Sequence, residues 1–254
     1  MIDFYLNLPA RFGQKNSFAT RVGAGVYEYK TYNNLLSDAK DLAFGLRPSL
    51  SEREKVAIFA DNAYEWIQTS IAVTLLGAVD VPRASDVTDH DILYILNHSE
   101  SKILFVENEA VFKRVIRLES ELEFLKEIVI IYPPKEGNKE MSSRKIKIST
   151  LQELAAKGKE LRKVDQTDTL FLNSTIKESD LFTMIYTSGT TGTPKGVMLT
   201  QGNILCVNYK TSQFVCRKGI ELYPSYPHTI SLKEFLKSLH CTMELVLTTA
   251  VFVH

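Results

Sequence analysis

The chain has 254 residues, 44% hydrophobic and 24% charged, an ordinary globular composition with length enough for one large domain or two modest ones. Lysine plus arginine equals aspartate plus glutamate at 30 each, so charge gives no reason to expect nucleic acid or an acidic membrane surface as the main partner. The three cysteines, Cys206, Cys216 and Cys241, are odd in number and confined to the last quarter of the chain, which excludes a secreted disulfide framework and favours a reducing compartment.

Taken in chain order, Met1-Ile-Asp-Phe-Tyr-Leu6 lacks the basic region and long apolar core of an export signal. The longest apolar stretches, such as Glu244 to Val253, fall short of the ~20 residues that span a bilayer. The expectation is a cytoplasmic protein with at most peripheral contact at the inner face of a membrane. Phe18–Val22 and Val26–Lys30 are two extended runs about Gly23-Ala-Gly25, a hairpin with glycine for the turn and not a nucleotide fingerprint. From Tyr32, apolar Leu35, Leu36, Ala39, Leu42, Ala43 and Leu46 recur at helical spacing up to Arg47-Pro48.

Alternation then begins. Lys55–Ala60 predicts a strand, Ala63–Leu76 a helix, Ala78–Pro82 a strand, a helix capped by Thr88 or Asp89 runs to about His98, and Lys102–Val106 is the next strand. A helix from Ala110 to about Leu118 leads to a strand at Glu127–Tyr132. Residues 133–145 have the proline, glycine and charge content of a flexible loop; a helix is expected from Ser149 to Arg162 and a strand at Asp180–Tyr186. Strands alternating with helices imply an α/β fold, a doubly wound, mostly parallel sheet with helices on both faces.

The segment Tyr186-Thr-Ser-Gly-Thr-Thr-Gly-Thr-Pro-Lys-Gly-Val197 carries the chemistry. Gly189 and Gly192 let backbone N–H groups approach an anion, Ser188, Thr190 and Thr191 add hydroxyl donors, and Lys195 adds a positive charge. Several charge-assisted hydrogen bonds at roughly 1.5 to 3 kcal/mol each hold a polyphosphate. The order Gly-x-x-x-x-Gly-Lys-Ser/Thr of a Walker A loop is absent, and the segment is followed by a strand or a helix start.

These twelve residues resemble the signature phosphate loop of the adenylate-forming (acyl-CoA synthetase, AMP-binding) superfamily, with Gln201 where relatives often have histidine. Upstream, Asp61-Asn-Ala-Tyr-Glu-Trp66 is similar to the family's Asn-x-x-Glu-Trp segment, with Trp66 expected in the core. Gly77-Ala-Val-Asp-Val-Pro-Arg83 resembles the long-chain fatty acid–CoA ligase branch, with Ala84 in place of a glycine. The resemblance implies a two-step ligation: a carboxylate attacks the α-phosphate of Mg-ATP to give acyl-AMP and pyrophosphate, and the thiol of coenzyme A then displaces AMP. It implies that Thr187, Ser188, Gly189, Thr190, Thr191 and Gly192 hold the phosphates, that Lys195 steadies the leaving pyrophosphate, and that Thr187 touches Mg2+. The partners implied are small molecules: a fatty acid, ATP and coenzyme A.

Residues 1–213 are expected to form an incomplete N-terminal domain of this fold and 214–254 a divergent tail, because the family's adenine-site, ribose, hinge and C-terminal lysine motifs are not found after residue 210. The chain is therefore expected to be a fragment without catalytic residues of its own, inactive alone. Two other readings stand beside the ligase: a non-catalytic remnant or interaction module, and an adenylation domain for an amino or aryl acid. Cys206, Cys216, His228, His240 and Cys241 lack zinc-ligand spacing. His90 and His98 are expected to be solvated or capping residues, and the charged run Glu119–Glu127 a solvated face.

Overall fold

A computed structural model describes residues 1–134, 143, 145–164, 171, 174–187 and 194–207. In chain order these form α1 (Ile2–Leu6), α2 (Leu8–Phe12), the strands β1 (Asn16–Gly23) and β2 (Val26–Thr31), α3 (Tyr32–Leu46), β3 (Lys55–Phe59), α4 (Tyr64–Leu75), β4 (Val79–Arg83), α5 (Asp89–Ser99) and β5 (Ile103–Asn108). Then follow α6 (Glu109–Arg117), β6 (Glu127–Tyr132), β7 (Lys147–Thr150), α7 (Leu151–Val164), β8 (Leu181–Thr187) and β9 (Lys195–Thr200), and residues 201–207 are helical.

β1 and β2 form the expected antiparallel hairpin, turning at Gly25 with φ 75°, a left-handed conformation that glycine adopts without steric cost. The other strands form one seven-stranded sheet in the order β7-β6-β5-β3-β4-β8-β9. All neighbours are parallel except β8 and β9, which pair antiparallel. From β3 the chain steps to β4 on one side, crosses to β5 on the other, and returns after β7 to β8 beside β4. Connections that leave in both directions cover both faces of the sheet, the doubly wound arrangement read from the alternation.

Period-2 alternation along each strand assigns side chains to two layers. Val56, Ile58, Ile103, Phe105, Val129 and Ile131 pack with the buried faces of α3, α4 and α7. Ala57, Phe59, Leu104, Val106, Ile128 and Ile130 pack with Ile92, Ile95 and Leu96 of α5 and Val111, Phe112 and Val115 of α6. Trp66 is half-buried against the first layer. α3 and α7 cross through two glycines: a Cβ at Gly158 would lie 1.7 Å from the Asp41 carbonyl oxygen, and one at Gly45 would lie 2.1 Å from that of Leu154. At the same crossing Arg162 pairs with Asp41 at 2.8 Å and donates to the Ser37 carbonyl at 2.8 Å.

Several elements differ from the sequence reading. The helix expected from Ser149 starts at Leu151, because Ile148 and Ser149 pair with β6 and Thr150 is the cap. Thr150 Oγ1 accepts from the Glu153 N–H at 3.2 Å and Glu153 accepts from the Thr150 N–H at 2.8 Å, a reciprocal capping box. The run Glu119–Glu127 is not uniformly solvated: Leu122 and Leu125 are buried, and Glu127 is 2% exposed, accepting from Ser149 Oγ at 2.7 Å and Lys147 Nζ at 2.8 Å. That buried acid is compensated by an ion pair and a hydroxyl from a strand the sequence did not reveal. α1 and α2 are likewise additional, and Tyr5 of α1 is buried in the first layer.

The expected loop at 133–145 lies, except for 133, 134, 143 and 145, outside the described residues, as does the tail at 214–254. Among the described residues no helix is long and apolar enough to cross a membrane.

Candidate functional site

In an open α/β sheet the carboxyl ends of the parallel strands form the edge where ligands bind. Here that edge carries Asp61 after β3, Arg83 at the end of β4, Glu107 and Asn108 at the end of β5, Tyr132 at the end of β6, and Thr187 at the end of β8. β9 runs the other way, so its first residue, Lys195, reaches the same edge. Thr187 and Lys195 are opposed in the β8–β9 ladder. Thr187 is half-buried and Lys195 exposed. Among the described residues Lys195 meets no carboxylate, which leaves its ammonium available to an anion. Ser188, Gly189, Thr190, Thr191 and Gly192 lie outside the described residues; of the sequence-derived site, the structure brings together Thr187 and Lys195, the two residues that bracket the segment.

The edge is electrostatically divided. On the β3–β5–β6 side, the Asp61 carboxylate accepts from the Ser85 N–H at 3.2 Å and its hydroxyl at 3.1 Å. The Asp61 N–H donates to Glu107 at 3.2 Å, and Tyr132 donates to Glu65 at 2.6 Å. On the β4–β8–β9 side stand Lys195 and Arg83. Arg83 is half-buried, its Nε is enclosed without a hydrogen-bond partner, and three residues past the Asp80–Thr183 pair it comes level with Tyr186. The sequence reading used Arg83 only as part of a resemblance; the signal that marks it as a site candidate is a cation at the carboxyl end of a parallel strand. An anion is favoured beside β8 and disfavoured beside β5.

Beneath this edge Asp80 is enclosed in β4. Its Oδ2 accepts from Ser70 Oγ at 2.7 Å and its Oδ1 has no partner. Burial without a cation pushes its carboxyl above the usual carboxylate range. Tyr186 is 3% exposed and bonds through its hydroxyl to His98 Nδ1 at 2.6 Å. His98 is thus exposed, as expected, yet linked to the strand that leads into the site.

The model of the AMP-binding enzyme family matches residues 10–250. A chloroplastic long-chain-fatty-acid–[acyl-carrier-protein] ligase of Arabidopsis thaliana is 32% identical over 179 residues, 69% of this chain and 24% of its own length. A long-chain-fatty-acid–CoA ligase of Mycobacterium tuberculosis is 30% identical over 152 residues, 60% of this chain and 23% of its own length. The chain therefore spans about a quarter of the length of these curated relatives. Among solved structures, a long-chain-fatty-acid–CoA ligase from Archaeoglobus fulgidus superposes with a TM-score of 0.64 at 20% identity, covering 86% of this chain and 39% of that one. An anthranilate CoA ligase in complex with anthranoyl-AMP superposes with a TM-score of 0.63 at 21% identity, covering 80% and 35%. At these identities the structures speak to the fold, which is that of part of the adenylate-forming enzymes. With a doubly wound sheet, the residues that bracket the signature segment, Thr187 and Lys195, at its carboxyl edge, and a family match over nearly its whole length, the chain belongs to the AMP-binding enzyme family.

Proposed function

We propose that this chain supplies the triphosphate-binding part of an ATP-dependent ligase that activates a long-chain fatty acid to acyl-AMP and then to acyl-CoA. The observation that carries the reading is the opposed pair Thr187 and Lys195, at the two ends of the signature segment on the cationic side of the sheet edge. The curated relatives support the acyl class by their names, and Val79-Asp-Val-Pro-Arg83 supports the same branch. Because the chain spans about a quarter of those relatives, the full two-step reaction is proposed for a protein of their length, and triphosphate binding for this chain. The cytoplasmic placement belongs to this reading too, although the Arabidopsis relative is chloroplastic by name.

In this reading the Lys195 ammonium faces the β- and γ-phosphates and stabilises the charge that grows on pyrophosphate as the carboxylate attacks the α-phosphorus. Thr187, with Ser188, Gly189, Thr190, Thr191 and Gly192, donates hydrogen bonds that hold those phosphates still. The Thr187 hydroxyl is a hard oxygen donor of the kind that would hold Mg2+, and the ion would supply positive charge that offsets the charge of the phosphates. Coenzyme A enters only in the second step, and no residue of this chain is assigned to it.

The test is fluorescence or calorimetric titration of the chain with Mg-ATP, beside Lys195→Ala, and a fatty-acid-dependent pyrophosphate release assay. Saturable binding that weakens at least about tenfold in Lys195→Ala is expected, since a charge-assisted contact is worth roughly 1.5 to 3 kcal/mol. A folded chain that binds no Mg-ATP refutes the proposal and leaves the remnant or interaction module.

A further inference from the structure

Tyr186 is the last fully buried residue of β8 before Thr187, and its ring is enclosed on three sides. The hydroxyl meets His98 Nδ1 at 2.6 Å. The rings of Tyr94 and His98, one turn apart on α5, stack at 5.2 Å, and Tyr186 stands edge-on to both, at 6.2 and 5.7 Å between centroids. Such edge-to-face pairs are favourable beyond the area they bury. The third side is the backbone of β9: Tyr186 opposes Gly196 in the ladder, and a Cβ there would lie 3.2 Å from the Tyr186 Cζ. The absence of a side chain at 196 thus lets the ring rest on the backbone directly beside Lys195. Burial, and then Tyr94, push the phenol up to about 12, so it keeps its proton within the bond to Nδ1.

Among the described residues β9 stands at the edge of the sheet and pairs only with β8, and Lys195 is its first residue. Terminal residues of an edge strand are the first to open. We propose that Tyr186, held by His98 from α5, is a brace that positions Lys195 for the phosphates of the nucleotide. His98 acts through Tyr186 and is a positioning residue; it does not touch substrate. The functional consequence rests on the nucleotide reading above, whereas the bracing itself is a property of β8, β9 and α5.

Two measurements separate these layers. The first is amide hydrogen exchange of β8 and β9 in the chain without nucleotide; the second is the Mg-ATP dissociation constant, taken at a temperature where each variant is folded by circular dichroism. Tyr186→Leu removes the ring and is expected to speed exchange at Lys195 to Val197 and to weaken Mg-ATP about tenfold. Tyr186→Phe and His98→Leu each remove one hydrogen bond and are expected to weaken it about threefold, within the range of one net bond. The double variant should be no weaker than either single one, and His98→Asn, which returns an acceptor near the Nδ1 position, should restore most of the loss.

A folded Tyr186→Leu protein with wild-type exchange and wild-type affinity overturns the brace, as does an additive His98→Leu/Tyr186→Phe pair. A purely structural role would lower the melting temperature and leave the dissociation constant of the folded protein alone. If the wild-type chain binds no Mg-ATP, the nucleotide reading fails by itself. The exchange rates then decide the brace: faster exchange in Tyr186→Leu and His98→Leu upholds it, and unchanged exchange removes it.

Discussion

Replacing Gly158 with alanine tests the packing that holds α7 on the sheet. The added Cβ would sit 1.7 Å from the Asp41 carbonyl oxygen and 2.5 Å from the Gly45 nitrogen. Both obstacles are helix backbone, so no side chain can swing aside. To reach ordinary contact the two helices must part by roughly 1.5 Å, and overpacking of this kind costs about 1 to 3 kcal/mol or more. The separation also stretches the Arg162–Asp41 pair and the Arg162 bond to the Ser37 carbonyl, each now 2.8 Å, which argues for the upper end, ~3 kcal/mol. At about 2–4 °C per kcal/mol for a domain of this size, the melting temperature should fall by roughly 6–12 °C. Thermal unfolding followed by circular dichroism reads this directly. Gly23→Ala is the control, since a Cβ there meets nothing closer than 3.8 Å. A Gly158→Ala melting point within about 2 °C of wild type refutes the claim that glycine sets the α3–α7 distance.

Three further outcomes are expected. Asp80→Asn should stabilise the chain in a pH-dependent way: burial raises the folded carboxyl above its unfolded value, so below about pH 4 both states are protonated and nothing is gained, while stability of the wild type falls as pH rises through the folded value and the gain grows toward neutrality. Urea midpoints from pH 4 to 8 measure it, and a gain independent of pH would contradict the assignment. Thr150→Ala should cost about 1 kcal/mol through loss of the α7 cap, read as a lower urea midpoint; no change would mean that the first turn of α7 does not need its capping box. Arg83→Gln should weaken Mg-ATP binding severalfold with little change in melting temperature, because the guanidinium has no ion-pair partner among the described residues; unchanged affinity would remove Arg83 from the site.

Much of the sheet was legible because its strands are buried on both faces. Val56 to Phe59, Leu104 to Val106 and Ile128 to Ile131 are near-continuous apolar runs, and runs of that kind separated by amphipathic helices have few other solutions. β7 was not, because Lys147-Ile-Ser-Thr150 is a four-residue edge strand whose polar side chains serve Glu127 and a helix cap. Thr150-x-x-Glu153 was nevertheless a readable signal for a helix start at Leu151, two residues beyond the expected one. Strand order was hidden, since no local pattern tells β8 to return beside β4. At the site, residue chemistry pointed to Lys195 and the family resemblance to Thr187, and the structure sets the two opposite each other in the β8–β9 ladder. His98 was unreadable as their support because its partner Tyr186 is 88 residues away.

The antiparallel pair at the edge of this sheet bears on how it can hold a phosphate. A Walker A loop runs from a strand into a helix and aims the helix N-terminus, with its free N–H groups and partial positive charge, at the anion. Here the chain leaves the sheet at Thr187 and re-enters it as a strand at Lys195, so the element that follows the segment brings no helix dipole to this end. The positive charge that a helix would have supplied has to come from side chains, and the strand geometry dictates which. Lys195 opens β9 directly opposite the last residue of β8, and Arg83 closes the neighbouring β4, while Glu65 and Glu107 bond to Tyr132 and the Asp61 backbone on the other half of the edge. A lysine at the start of a strand, unlike a helix N-terminus, is only as well placed as the end of that strand is ordered. The glycine at 196 and the tyrosine above it answer that requirement, and they explain why a small residue follows the lysine although no tight turn demands it.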